Sequence, residues 1–267
     1  MKRRIILNAD DFGWDPEASK AILDLASLDR IDSTTVMANL VEESDLLALL
    51  KFSQISVGIH LNLSTGKPLS SPQQVSTIVD PITGNFYSSF DLWTKYNSGR
   101  IKPEHIVREI QQQLAFFYDH GVNISHADSH QHIHIYPGLG HLIQNILKKK
   151  KITKLRNCRG RAGVDRRRWI IKGFNQFTSV KKAGFVTTDG LCSAFSVKEE
   201  YNREFFLRNV IMDYLNVPLY ELMVHPATSD KSGSPLHRTK EYDFLKSDQW
   251  IQLLDLYKLE RTNWHKL

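Results

Sequence analysis

Thirteen consecutive residues, Ser125-His126-Ala127-Asp128-Ser129-His130-Gln131-His132-Ile133-His134-Ile135-Tyr136-Pro137, hold four of the chain's eleven histidines and one carboxylate. Imidazole can bind a metal or move a proton through one nitrogen while the other hydrogen-bonds to a carboxylate that fixes its tautomer. Two further polar groups, Asn8-Ala9-Asp10-Asp11-Phe12-Gly13 and Gly58-Ile59-His60, stand at comparable places in the chain's rhythm, and His225-Pro226 forms a fourth. Asp11, His60 and one of His130, His132 and His134 would make an Asp-His-His set with open positions, as hydrolytic divalent metals use. Such a metal lowers the pKa of bound water and polarises a carbonyl. Asp10 then reads as general base and His225 as general acid for a leaving amine. Neighbouring strand residues face opposite ways, so Asp10 and Asp11 share a site only if the chain leaves the sheet there, as Phe12-Gly13 suggests.

Strands must bring these groups together. Arg4 to Ala9 is a short apolar run, and Asp15-Pro16 supplies an N-cap with proline in the first helical position for a helix to about Leu28. The unit repeats with a strand at Ser33–Ala38, a helix at Glu42–Phe52 and a third strand at Ile55–His60. Residues 62–102, rich in Ser, Pro, Gly and Thr with scattered aromatics, exceed an ordinary connection and read as a lid, a substrate-binding insertion or a segment stapled to the barrel. Pro103 restarts the pattern with a helix to Gly121, followed by the histidine-rich fourth strand and a helix over Gly138–Lys150. Further strands are expected at Ile152–Arg156, Phe185–Thr188 and Leu219–Val224, and helices near Lys172–Lys182, at Glu199–Leu215 and at Glu241–Leu259. Alternating strands and helices imply a parallel sheet. With no glycine-rich dinucleotide fingerprint, the expected fold is α/β, a seven- or eight-stranded (β/α) barrel, irregular or incompletely closed, as one domain over 1–267 with an insertion at about 62–102. In a barrel, Asp10-Asp11, His60, Asp128 to His134 and His225 all fall at C-terminal strand ends, where such folds keep their chemistry.

A chain of 267 residues with 41% apolar and 24% charged residues has material for a sizeable core. Two cysteines, Cys158 and Cys192, make no disulfide framework, and no stretch is apolar enough to span a bilayer, so a cytoplasmic protein is expected. The net charge of +6 is concentrated: residues 148–172 contain twelve of the 35 Lys and Arg against Asp165 alone. That run reads as a solvated helix end and loop, with no nucleic-acid partner expected.

The four groups, with Thr65-Gly66-Lys67-Pro68-Leu69 after His60 and Ala227 after His225-Pro226, resemble in order the motifs of the YdjC-like carbohydrate deacetylases, which include chitooligosaccharide deacetylases. The resemblance implies a barrel related to polysaccharide deacetylases, a divalent metal (magnesium or zinc) and hydrolysis of an N-acetyl group on an amino sugar or oligosaccharide. Position by position, it makes Asp11, His60 and His130 the ligands and leaves proton transfer to Asp10 and His225. Asp128, His132, His134 and Arg156 are then candidates for supporting or substrate contacts, and a homodimer is a further expectation. Gln131 stands where many family members carry histidine. The basic run suggests a phosphorylated or otherwise anionic acetylated sugar held by Arg156 and Arg159. The competing readings are a metal-dependent phosphoesterase and a non-catalytic carbohydrate-binding barrel.

Overall fold

A computed structural model describes residues 3–160, 166–192, 203–211, 217–230 and 236–267. Its centre is β1 (Arg3–Phe12), whose run from Ile5 to Phe12 is buried. Parallel neighbours flank it: β2 (Ser33–Val36) and β7 (Leu259–Arg261), and on the other side β6 (Leu219–Val224). Beyond β2 lie β3 (Ser56–Leu61) and β4 (Ala127–Ser129), and beyond β6 lies β5 (Gly190–Cys192), giving the order β4-β3-β2-β1-β6-β5. Between β4 and β5 the sheet is continued only by single bridges from Ala127 to Leu155 and from Lys154 to Val186. The Leu191 N–H also reaches the Arg159 carbonyl at 2.8 Å. The architecture is therefore an α/β, incompletely closed (β/α) barrel.

The helices follow local signals. In α1 (Pro16–Ser27) the Asp15 carboxylate accepts the Ala18 N–H at 2.7 Å, and Ala18, Ala21, Ile22 and Leu25 face inward. After α2 (Glu43–Leu49) and α3 (Ser89–Asn97), α4 (Pro103–Asp119) opens on proline and buries Ile106, Ile110, Leu114 and Phe117. The segment 62–88 is turns with one antiparallel bridge, Val79 to Phe86, yet Leu63, Val75, Ile78, Val79 and Phe86 join the same core as the strands. Two buried polar side chains of α4 hold it: Glu109 accepts the Leu69 and Ser70 N–H groups at 3.1 and 2.9 Å, and Gln113 exchanges hydrogen bonds with the Asn62 backbone at 3.1 and 2.6 Å. Those contacts fasten the segment to α4.

Several expected elements differ. The fourth strand stops at Ser129, and His130–Ile135 form two tight turns separated by a kink at Gln131 and His132, which adopt left-handed φ of 55° and 58°. After α5 (Leu139–Lys149), the strands expected at Ile152–Arg156 and Phe185–Thr188 make only isolated bridges, Val186 pairing with Lys154, and β5 follows as a separate short strand. The helix expected near Lys172–Lys182 is α6 (Arg166–Phe177). Of the helix expected over Glu199–Leu215, α7 (Arg203–Phe206) and the π-turn Leu207–Ile211 are described, and the remainder lies outside the described residues. The last helix breaks at Ser247, whose extended ψ of 158° separates α8 (Arg238–Lys246) from α9 (Asp248–Leu256), and β7 follows.

Candidate metal centre

Asp10 and Asp11 both lie within β1, so the chain has not left the sheet there as expected. A bulge brings them together instead. The register between β1 and β2 slips between Ala9 and Phe12, and Asp11 takes a left-handed φ of 67°. For a residue with a Cβ this conformation is strained, and such strain concentrates at functional sites. Gly13, at φ 92°, passes so close to Val41 that an added Cβ would meet its Cα at 2.6 Å.

Asp11 is the hub of the first cluster. Its Oδ1 lies 3.3 Å from His60 Nε2 and 3.2 Å from His130 Nδ1, while its Oδ2 accepts from Arg238 Nη2 at 2.7 Å. One donor atom from each of Asp11, His60 and His130 falls within 4.8 Å of the others, and all three residues are buried. One carboxylate and two imidazoles is a donor set that fits a divalent metal. His60 is oriented from behind: its Nδ1 sits 2.6 Å from Asp128 Oδ1 and 3.1 Å from Thr35 Oγ1. With Nδ1–H on the carboxylate, Nε2 faces Asp11, the arrangement that metal-binding histidines use.

The second cluster surrounds Arg156, which is fully buried. Its Nη1 and Nη2 reach the two carboxylate oxygens of Asp10 at 2.6 Å each, its Nη1 lies 2.7 Å from Asp128 Oδ2, and its Nε and Nη2 donate to Glu221 Oε1 at 2.9 and 2.6 Å. Asp10, His60 and Asp128 also sit close enough to hold an ion. Arg156 already pairs with both of those carboxylates.

The electrostatics follow. Burial opposes charge on Asp10 and Asp11, yet Arg156 holds Asp10 well below the usual carboxylate range, and His130 with His60 does the same for Asp11. Burial would lower His60, but Asp128, Asp11 and Asp10 outweigh it and raise the imidazole to about 10. Burial raises Glu221 to about 7 despite Arg156. Burial drops His225 to about 4, against the pull of Asp11 and Asp10, so its imidazole is neutral at pH 7.

The histidine-rich stretch divides its labour. His130 reaches Asp11, with the Trp14 ring 4.9 Å from its own. His134 is pinned elsewhere: its Nδ1 lies 2.6 Å from Ser129 Oγ and its Nε2 3.2 Å from the Arg156 carbonyl. His132 is buried with its ring edge-on to His134, and His126 stacks on Trp264 at 4.5 Å. Gln131 points to solvent. Arg156 corrects the sequence reading: saturated by three carboxylates, it is closed to an anionic substrate. Arg159 is exposed and lines a separate cavity of about 870 Å³ with Lys172 and Lys182. Arg238, Glu221 and Trp14 were not anticipated. Only Glu221 carried a signal, a charge inside the apolar strand Leu219–Val224.

The sequence pattern of the YdjC-like protein family matches residues 4–256. The chain belongs to this family. A carbohydrate deacetylase of Vibrio cholerae is 29% identical over 280 residues, covering 99% of this chain and 96% of its own, and one of Brevibacillus brevis is 26% identical over 270 residues, covering 99% of each. Among solved structures, an Enterococcus faecalis protein named for cellobiose-phosphate cleavage superposes on this YdjC-like chain with a TM-score of 0.79 at 21% identity, covering 100% of this chain and 99% of the other. A Thermus thermophilus lactam utilization protein follows at a TM-score of 0.50 and 12% identity, covering 97% and 98%. Both share the fold. No helix among the described residues is long and apolar enough to cross a membrane.

Proposed function

We propose that this chain is a metal-dependent hydrolase that removes an acetyl group from an N-acetylated sugar or oligosaccharide. The observation that carries the reading is the convergence of Asp11, His60 and His130 donor atoms within 4.8 Å, with Asp10 next along the strand. The carbohydrate deacetylases of Vibrio cholerae and Brevibacillus brevis, aligned over nearly their full lengths, support it. We assign Asp11, His60 and His130 as ligands. Two imidazoles favour zinc over magnesium, which prefers all-oxygen sets. When bound, the metal supplies a nucleophilic water at neutral pH and a Lewis acid for the acyl oxygen.

The remaining steps belong to the protein. Asp10, kept ionised and fixed by both arms of Arg156, takes a proton from the attacking water. Asp128 holds the His60 ring in the tautomer that presents Nε2. His225, neutral at pH 7, must acquire a proton within the cycle before passing it to the departing amine. We further infer one barrel domain over 1–267 with 62–102 as its insertion, and a cytoplasmic location, where the buried thiols of Cys158 and Cys192 stay reduced.

The test is a panel of N-acetylated oligosaccharides incubated with purified protein, after chelation and with zinc or magnesium restored, followed by mass spectrometry for loss of acetyl. Deacetylation that disappears on chelation and returns with metal is expected. Cleavage of phosphate esters alone would refute the proposal.

A further inference from the structure

Arg238 has a second donor that the assigned roles leave idle. The residue is only 5% exposed and opens α8, and it meets the Asp11 oxygen that the histidines leave. Its Nη2 donates to Asp11 Oδ2 at 2.7 Å, whereas its Nη1 is buried and meets no hydrogen-bond acceptor among the described residues. The Trp14 ring lies 5.6 Å from the Arg238 guanidinium carbon and 4.9 Å from the His130 ring, so one indole borders both the arginine and the assigned ligand.

Were Arg238 present only to balance Asp11, a single donor would suffice, and a lysine would supply it. Arginine is the residue for planar, two-pronged recognition of oxygens, and here one prong is used. A guanidinium donor left buried without an acceptor carries a desolvation cost that a bound oxygen would relieve. Because the guanidinium is planar and rigid, fixing Nη2 on Asp11 also holds Nη1, its neighbour on the same carbon, close to that proposed ligand. We propose that Arg238 Nη1 donates to the acyl oxygen of the substrate and afterwards to an oxygen of the acetate product, making Arg238 a catalytic residue.

This inference rests on the deacetylase reading for its reaction. Water oxygen bonds to the acyl carbon and gives a proton to Asp10 as the carbonyl electron pair moves onto the acyl oxygen. The carbon–nitrogen bond then breaks, the amine nitrogen takes a proton, and acetate and a free amino sugar result. Negative charge therefore grows on the oxygen that Nη1 faces, the situation in which a fixed donor does most for the rate.

Three measurements on zinc-loaded wild type, R238K and R238Q test it: zinc affinity, acetate affinity by calorimetry, and steady-state kinetics on the acetylated panel. Zinc affinity within about threefold of wild type, acetate binding weakened roughly tenfold or more and kcat lowered with KM nearly unchanged are expected. Equal acetate affinity in all three proteins overturns the proposal, as does a fall in zinc affinity that matches the fall in kcat, which would make Arg238 a support for Asp11 alone. Should the variants fail to fold, wild-type crystals soaked in acetate decide: an acetate oxygen within hydrogen-bond distance of Nη1 sustains the inference, and acetate bound at the metal centre away from it overturns it. Acetate binding that depends on Arg238 in a protein inert toward every acetylated sugar would refute the deacetylase reading and with it the acyl-oxygen role, leaving Arg238 a carboxylate-binding residue only.

Discussion

Asp10 and Asp11 are chemically identical neighbours that the structure sets to different tasks. Asp11 meets two imidazoles and one prong of Arg238, whereas Asp10 is clasped by both prongs of Arg156. Asp10→Asn should therefore keep metal affinity within a few-fold while kcat falls by about 10²–10⁴, the usual worth of a positioned base. His60→Ala should lose the metal itself. Metal content after dialysis, read beside turnover, separates them, and matching metal loss in both variants would sink the division of roles. His134 gives a prediction about pH. Burial, aided by Arg156, depresses its folded pKa to about 3 from an ordinary 6.5, so below pH 6.5 the unfolded chain takes up a proton that the folded one refuses. The stability that neutral His134 contributes is complete above pH 6.5 and is lost at about 1.4 kcal/mol per pH unit as the solution is acidified toward 3. Urea unfolding at a series of pH values should show a shallower acid dependence in His134→Gln than in wild type, and parallel slopes would contradict it. The types and order of Asp11, His60, His130 and His225 were legible because motif residues are local strings. Arg238 was not, since it sits between His237 and Thr239 in a polar stretch that reads as ordinary surface.

Helices and long strands with their own periodicity were readable in advance: α1, α4, α5 and β6 lie where capping, apolar stripes and chain punctuation put them. The misses are elements whose existence depends on a distant partner. Leu259-Glu260-Arg261 has the composition of a helix end, and it is a strand only because the start of β1 offers it an edge. Gly190-Leu191-Cys192 is too short to announce itself and is fixed by pairing with Tyr220 to Leu222. At this scale α4 does more than pack. Glu109 and Gln113, one helical turn apart, fasten the loop that leaves His60. Glu109→Ala strips acceptors from the Leu69 and Ser70 N–H groups and should cost about 1–3 kcal/mol in urea unfolding. An unchanged midpoint would mean that the loop holds itself.

For the molecule as a whole, the proposed ligands come from the ends of β1 and β3 and from the turn after β4, so an ion held by all three would staple separate strands. Ligand binding to the folded state alone adds about 2.7 kcal/mol at a hundred times Kd. Zinc should accordingly raise the Tm of chelated wild type and leave that of His60→Ala nearly unmoved, as calorimetric scans would record, and equal shifts would place the ion elsewhere. Arg156 sets a second global limit. Three buried carboxylates share its charge, and Arg156→Met should destabilise by about 3–5 kcal/mol because they would repel one another without a counter-ion.

The position of β1 bears on how the protein reaches this state. Its hydrogen-bonded neighbours include β6 and β7, whose residues Leu219 and Leu259 stand opposite Arg4 and Arg3. Contacts spanning nearly the entire sequence close slowly, because a long stretch of unordered chain must be confined before they form. The bulge that turns Asp11 inward is made against β2, its near neighbour in sequence, and Asp11, His60 and His130 all lie in the first half of the chain. Arg238, by contrast, comes from the distant half, so the arginine that grips Asp11 joins the three proposed ligands only once the C-terminal strands have closed against β1.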